Sequence, residues 1–185
     1  MASRVPNLLI ASTAIAIATG SRSVRGDEPF GLVPTDVSSA FFIAKSQNRN
    51  QVHYGVHVDR NCRPVGDAPV FAYWRMLEKR GQLEPLLDRE VPAYGLREDQ
   101  RVEVTNPGRT TIRVSLRALP ERPLRLTVAR TEAGCQATTA TTIAGTDAQL
   151  KFVYVRLAWL LGIDYLLLRG NRFEGGTSIQ EVVRR

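Results

Sequence analysis

In Val52-His53-Tyr54-Gly55-Val56-His57-Val58-Asp59, every second residue falls on one face: Val52, Tyr54, Val56 and Val58 against His53, Gly55, His57 and Asp59. A period of two belongs to a strand with one buried face, whereas a helix would repeat its apolar residues at three and four. The same alternation returns in 110–118 (Ile112, Val114, Leu116 and Ala118 against Thr111, Arg113, Ser115 and Arg117) and in 123–131 (Leu124, Leu126, Val128). Outward from these, 39–46, 69–77, 100–105, 136–143, 149–158, 163–170 and 178–184 read as further strands. Turn formers separate them at Gln47–Asn50, Asn61–Asp67, Asn106-Pro107-Gly108, Gly134, Gly145–Asp147 and Gly175-Gly176. The expected fold is all-β: an antiparallel barrel or sandwich of about nine or ten strands.

Two stretches break the rule. Gln82 to Glu90, before Pro92, predicts a short helical excursion near 82–91 within a long connection. Leu150 to Leu161 is apolar on both faces and also fits a helical stripe. Its β-branched and aromatic residues favour a strand covered on both sides.

The N-terminus has a separate logic. Arg4 precedes an uncharged, mostly apolar run, Leu8 to Ala18, which ends in Ala16-Ile17-Ala18. This is the layout of a secretory signal peptide cleaved near Ala18, and the run is too short to span a bilayer. Residues 1–18 are expected to leave, 19–37 to form a linker or disordered lead, and 38–185 to form one β-rich domain. The expected setting is the periplasm or the outside of a bacterial cell. The first cysteine is Cys62, so nothing near the cleavage region suits a lipid anchor.

Composition limits the chemistry. The chain has 185 residues, 43% of them hydrophobic, and a net charge of +7, which suits one globular domain. The basic residues are scattered, with Lys79-Arg80 and Arg184-Arg185 the adjacent pairs. Nucleic-acid binding would call for clusters and a stacking platform. His53 and His57 share a strand face but stand about 13 Å apart along it, too far for one metal ion. There is no Gly-X-Ser-X-Gly elbow and no Gly-rich phosphate loop. Neither cofactor nor metal is expected, and enzymatic activity is not favoured.

Binding has better candidates. Gln47-Asn48-Arg49-Asn50-Gln51 is a run of amide and guanidinium side chains between two strands. Asparagine also suits turn dihedrals, so the run has a purely structural reading beside the functional one. In Tyr73-Trp74-Arg75, Trp74 points away from the face shared by Tyr73 and Arg75; with Trp74 in the core, the other two are surface. If the strands form an up-and-down meander, Asn48, Arg49, Asn50, Arg75, Tyr94 and Asn171 gather at one end, beside Tyr73. That mix suits an acidic or hydroxyl-rich ligand. The same meander brings Cys62 and Cys135 together at the other end. In an oxidising compartment they are expected to bond, closing a loop worth roughly 4 kcal/mol.

Three segments together resemble a known family. Phe41-Phe42-Ile43-Ala44-Lys45-Ser46-Gln47-Asn48-Arg49-Asn50 is the first; Pro69-Val70-Phe71-Ala72-Tyr73-Trp74-Arg75 with Pro92-Ala93-Tyr94-Gly95 is the second; Asp164-Tyr165-Leu166-Leu167-Leu168-Arg169-Gly170 with Gly176 is the third. They resemble an uncharacterised family of small exported bacterial proteins, domain-of-unknown-function family 4833, over roughly 38–184. The resemblance implies an exported β-rich domain and brings no activity with it. The expected function is therefore non-catalytic binding of a small molecule, glycan or protein partner in the cell envelope. The alternatives are a hydrolase acting on an envelope polymer and a structural component of an envelope assembly.

Overall fold

The alternating stretches become strands at nearly the expected places. The computed structural model describes residues 39–97, 99–106, 109–158 and 162–184; the signal peptide and lead read at 1–37 lie outside them. The strands are β1 (Phe41–Lys45), β2 (Asn48–Val56), β3 (Val70–Met76), β4 (Gln82–Pro85), β5 (Arg101–Asn106), β6 (Arg109–Leu116), β7 (Leu119–Thr131), β8 (Gly134–Ile143), β9 (Thr146–Ala158), β10 (Gly162–Arg172) and β11 (Ser178–Arg184). The one short α-helix among the described residues, α1, is Val91–Tyr94. The chain is all-β with a brief helical excursion, and Leu150–Ala158 is strand.

The excursion starts later than the sequence suggests. Gln82–Pro85 pairs with Tyr73–Met76 instead of coiling. β3 has a second edge of backbone groups needing partners, and that requirement outweighs the local helical preference. The helical turns follow, at Asp88–Glu90 and then in α1, with Pro92 in the first turn, where its missing N–H costs nothing.

The sheet is not a simple meander. Its order is β4-β3-β2-β1-β9-β8-β7-β6-β5, with β10 and β11 off this path, on β9. β1 runs parallel to β9, pairing Phe42 with Phe152 and Lys45 with Val155. The first part of β9 pairs with β8, from Thr146 to Leu150, while β10 pairs with β9 from Ala148 to Ala158. One arm of the sheet is thus β1–β4, the other is β5–β8, and β9 belongs to both.

A single core lies between the arms. Phe41, Ile43, Val52, Tyr54 and Trp74 come from one, Ile112, Val114, Leu124, Leu126 and Val128 from the other, and Val153, Val155, Leu166 and Leu168 from β9 and β10. The sheet does not close into a barrel. Where β3 and β5 approach, the Gln100 side chain stands in for a strand: its amide accepts from Val70 N and donates to Val70 O, both at 2.9 Å. Cys62 and Cys135 form the expected disulfide, with Cα atoms 5.3 Å apart. It joins the loop after β2 to the start of β8, and so ties the two arms together.

Candidate functional site

The amide run opens β2, and much of its bonding capacity is spent within the fold. Asn48 Oδ1 accepts from Asn50 N at 3.1 Å. Buried Asn50 accepts from Glu78 N at 3.2 Å and donates to Glu78 Oε2 at 3.4 Å. Arg49 N donates to Glu78 Oε1, and its side chain is exposed. The hairpin is thereby fastened to the turn that follows β3.

Strand alternation divides the remaining candidates between two faces. Trp74 points inward. Tyr94 presents its ring edge to the indole at 5.4 Å, and its carbonyl accepts the hydroxyl proton of fully buried Tyr54. Burial holds the Tyr54 phenol well above its ordinary range, with Tyr94 adding to the effect. Tyr73 and Arg75 lie on the outer face, where Arg75 is exposed, but Tyr73, expected at the surface, is buried among its neighbours at 4% exposure. Asn171 is placed elsewhere: it pairs with Gln149, about 16 Å along β9 from Tyr154, which lies beside Ala44. The single-end cluster expected from a meander is not formed, because β1 sits on β9 and turns the arms away from meander order.

On the outer face a row of side chains crosses the strands: Arg169, Phe152, Phe42, His53 and Tyr73. Arg169 lies 5.7 Å from the Phe152 ring; the ring pairs that follow are 5.4, 5.2 and 5.7 Å apart, inclined by 12°, 21° and 26°. These rings stand on the sheet and stack on each other. Within the row the ring faces are largely turned toward one another. His57, four residues after His53 on the same face, stacks on Phe71 at 4.1 Å.

The inner face holds two recesses. The first, about 350 Å³, is mixed: Trp74, Met76, Pro85 and Leu87 line it together with Lys45, Asn48, Asn50, Glu84, Arg89 and Glu90. Lys45 Nζ lies 4.8 Å above the indole ring. The indole N–H donates to Glu90 Oε2 at 2.8 Å, and the same oxygen accepts from Leu87 N at 3.0 Å. Glu84 is paired with Lys79 at 2.9 Å.

The second recess is apolar, about 430 Å³, within the size range of small-molecule sites. Ile43, Val153, Val155 and Leu166 form its floor, Leu116 and Leu119 one wall, and Ala93 and Tyr94 of α1 part of its rim. The helical excursion therefore lies over one end of the core and leaves a hollow beneath it. Sequence reading brought Asn48, Asn50 and Tyr94 to these recesses but missed Lys45, Arg89, Glu90 and the cavity itself. Lys45 had a signal, since it shares the face of Ile43 two residues before it; the cavity-lining leucines and valines look like any core residues.

No helix among the described residues is long and apolar enough to cross a membrane. No curated protein and no solved structure matches the chain. A family model does: a domain of unknown function, DUF4833, matches residues 41–182, from the first residue of β1 into β11. The match takes in both arms, the shared strand and all the residues of the two recesses, and the chain belongs to the DUF4833 domain family.

Proposed function

We propose that this protein is a non-catalytic binding module of the cell envelope that holds a small, largely apolar ligand in the hollow beneath α1. The observation that carries the reading is the cavity of about 430 Å³ lined by Ile43, Val153, Val155 and Leu166. Well-packed cores leave few voids larger than a water molecule, and apolar clefts of this size take small ligands. The exported setting draws support from the signal-like residues 1–18 and from the Cys62–Cys135 bond, which belongs to oxidising compartments.

The test is titration with an apolar naphthylamine fluorophore. Saturable enhancement is expected, and Ala93→Trp, which plugs the exposed rim without entering the core, is expected to weaken it at least tenfold. Absence of saturable binding by the folded wild-type protein would overturn the reading.

A further inference from the structure

We propose that the ligand is a single-chain amphiphile with an anionic head, its chain in the apolar cavity and its head in the Trp74 recess. This rests on the cavity reading above and adds the polar half. The two recesses have neighbouring linings along the end of β1 and the turn after it. Ile43 lines one and Lys45 the other, two residues apart on the same face of β1 and about 7 Å from each other. Gln47 and Asn48, adjacent in the chain, are divided in the same way. Tyr94 borders the cavity while its ring touches Trp74. In the proposed pose the chain passes Tyr94, where that ring meets Trp74, to bring the head beside Lys45.

The charges there select the sign of the head. Glu84 is neutralised by Lys79, whereas Glu90 accepts from the uncharged indole and Leu87 N–H groups and keeps its negative charge. Lys45, which rests over the indole, and Arg89 make no ion pair with the described residues, so against Glu90 the recess keeps one positive charge in excess, with an amide at Asn48 beside it. An anion completes this set, through a charge-assisted hydrogen bond to either cation. A choline-type head does not, because the indole face that would receive it is covered by the Lys45 ammonium. A free fatty acid and a lysophospholipid released from a membrane both present this chemistry.

The experiment displaces the fluorophore with laurate, lauroyl lysophosphatidate or the uncharged dodecanol. Both anions are expected to bind at least tenfold more tightly than dodecanol, with the advantage shrinking as salt is raised. Lys45→Gln/Arg89→Gln is expected to erase that advantage and leave dodecanol binding unchanged; unaltered thermal unfolding shows that the variant is intact. Whichever anion binds more tightly identifies the source within the supported proposal. Equal binding of laurate and dodecanol, or an advantage that survives the double substitution, overturns the anionic head and leaves the cavity reading standing. Failure of every compound, fluorophore included, removes both.

Discussion

His53 is the residue whose surroundings differ most from its place in the sequence, where it reads as a polar-face histidine. It is 5% exposed, stacked between Phe42 and Tyr73, with Nδ1 2.8 Å from Ser39 Oγ and Nε2 3.0 Å from Gln51 Oε1. Burial, aided by the Arg75 charge, lowers its pKa from 6.5 to about 4. The unfolded chain therefore takes up the proton first. The stability that neutral His53 confers is complete above pH 6.5, declines as pH falls from there, and is gone once pH is below about 4. Denaturant titrations at pH 7 and pH 5 are expected to show a loss of up to about 2 kcal/mol, trimmed by solvent screening at the ring edge. In His53→Phe this loss should be absent. Asp59 and Glu181, held below the usual carboxylate range by hydrogen bonds to Arg63 N–H and to Arg122 respectively, give up their contribution at lower pH. Equal losses in wild type and variant would show that the ring is not the source. Alternation placed His53 on the correct face. The row that buries it depends on β1 meeting β9, which no local pattern encodes.

Among the elements, β9 organises the rest, and β10 leaves no room for a side chain against it at Gly170. A Cβ there would overlap the Gln149 carbonyl oxygen and stand 2.9 Å from Ile143 Cδ1, beside a register shift between Arg169 and Gly170. Glycine inside a strand marks this kind of backbone approach. Gly170→Ala is expected to destabilise the protein by about 1–3 kcal/mol, read as a lower urea midpoint; a midpoint within error of wild type would refute the close contact. Most strands were legible because one face is buried; the ambiguous Leu150–Ala158 declared itself through Val153, Val155 and its aromatic residues, and it buries one face instead of being covered on both sides. Their order was not legible. Antiparallel neighbours follow from short turns, but a parallel partner is chosen by tertiary packing alone. For the same reason Gln82–Pro85 was misjudged: its partner edge on β3 outweighs its own composition.

At the scale of the molecule, the arms are held by their common core and by the Cys62–Cys135 bond, which spans 73 positions. Closure of so long a loop is worth roughly 4 kcal/mol in the chain-entropy account, less any distortion in the folded state. Reduction, or Cys62→Ala with Cys135→Ala, is expected to lower stability by up to that amount; an unchanged midpoint after verified reduction would show that the core alone holds the arms. The parallel seam between β1 and β9 bears on how the chain acquires its shape. Leu157 N donates to Ser46 Oγ across 111 positions, and the neighbouring pairs, Ile43 with Val153 among them, are similarly remote. Contacts of such separation slow folding, because loop closure must come before the contacts that reward it. As the polypeptide emerges N-terminus first, β1–β4 have hairpin partners at once, but the other half of their core comes only with β6 and β7, and β1 lacks its parallel partner until Phe152–Val155 appears. The first arm therefore cannot finish before most of the chain has been made, and the whole domain is expected to fold late and as one event. A chain that stays unfolded through most of its own synthesis is in the condition in which it can be threaded through a narrow translocation pore.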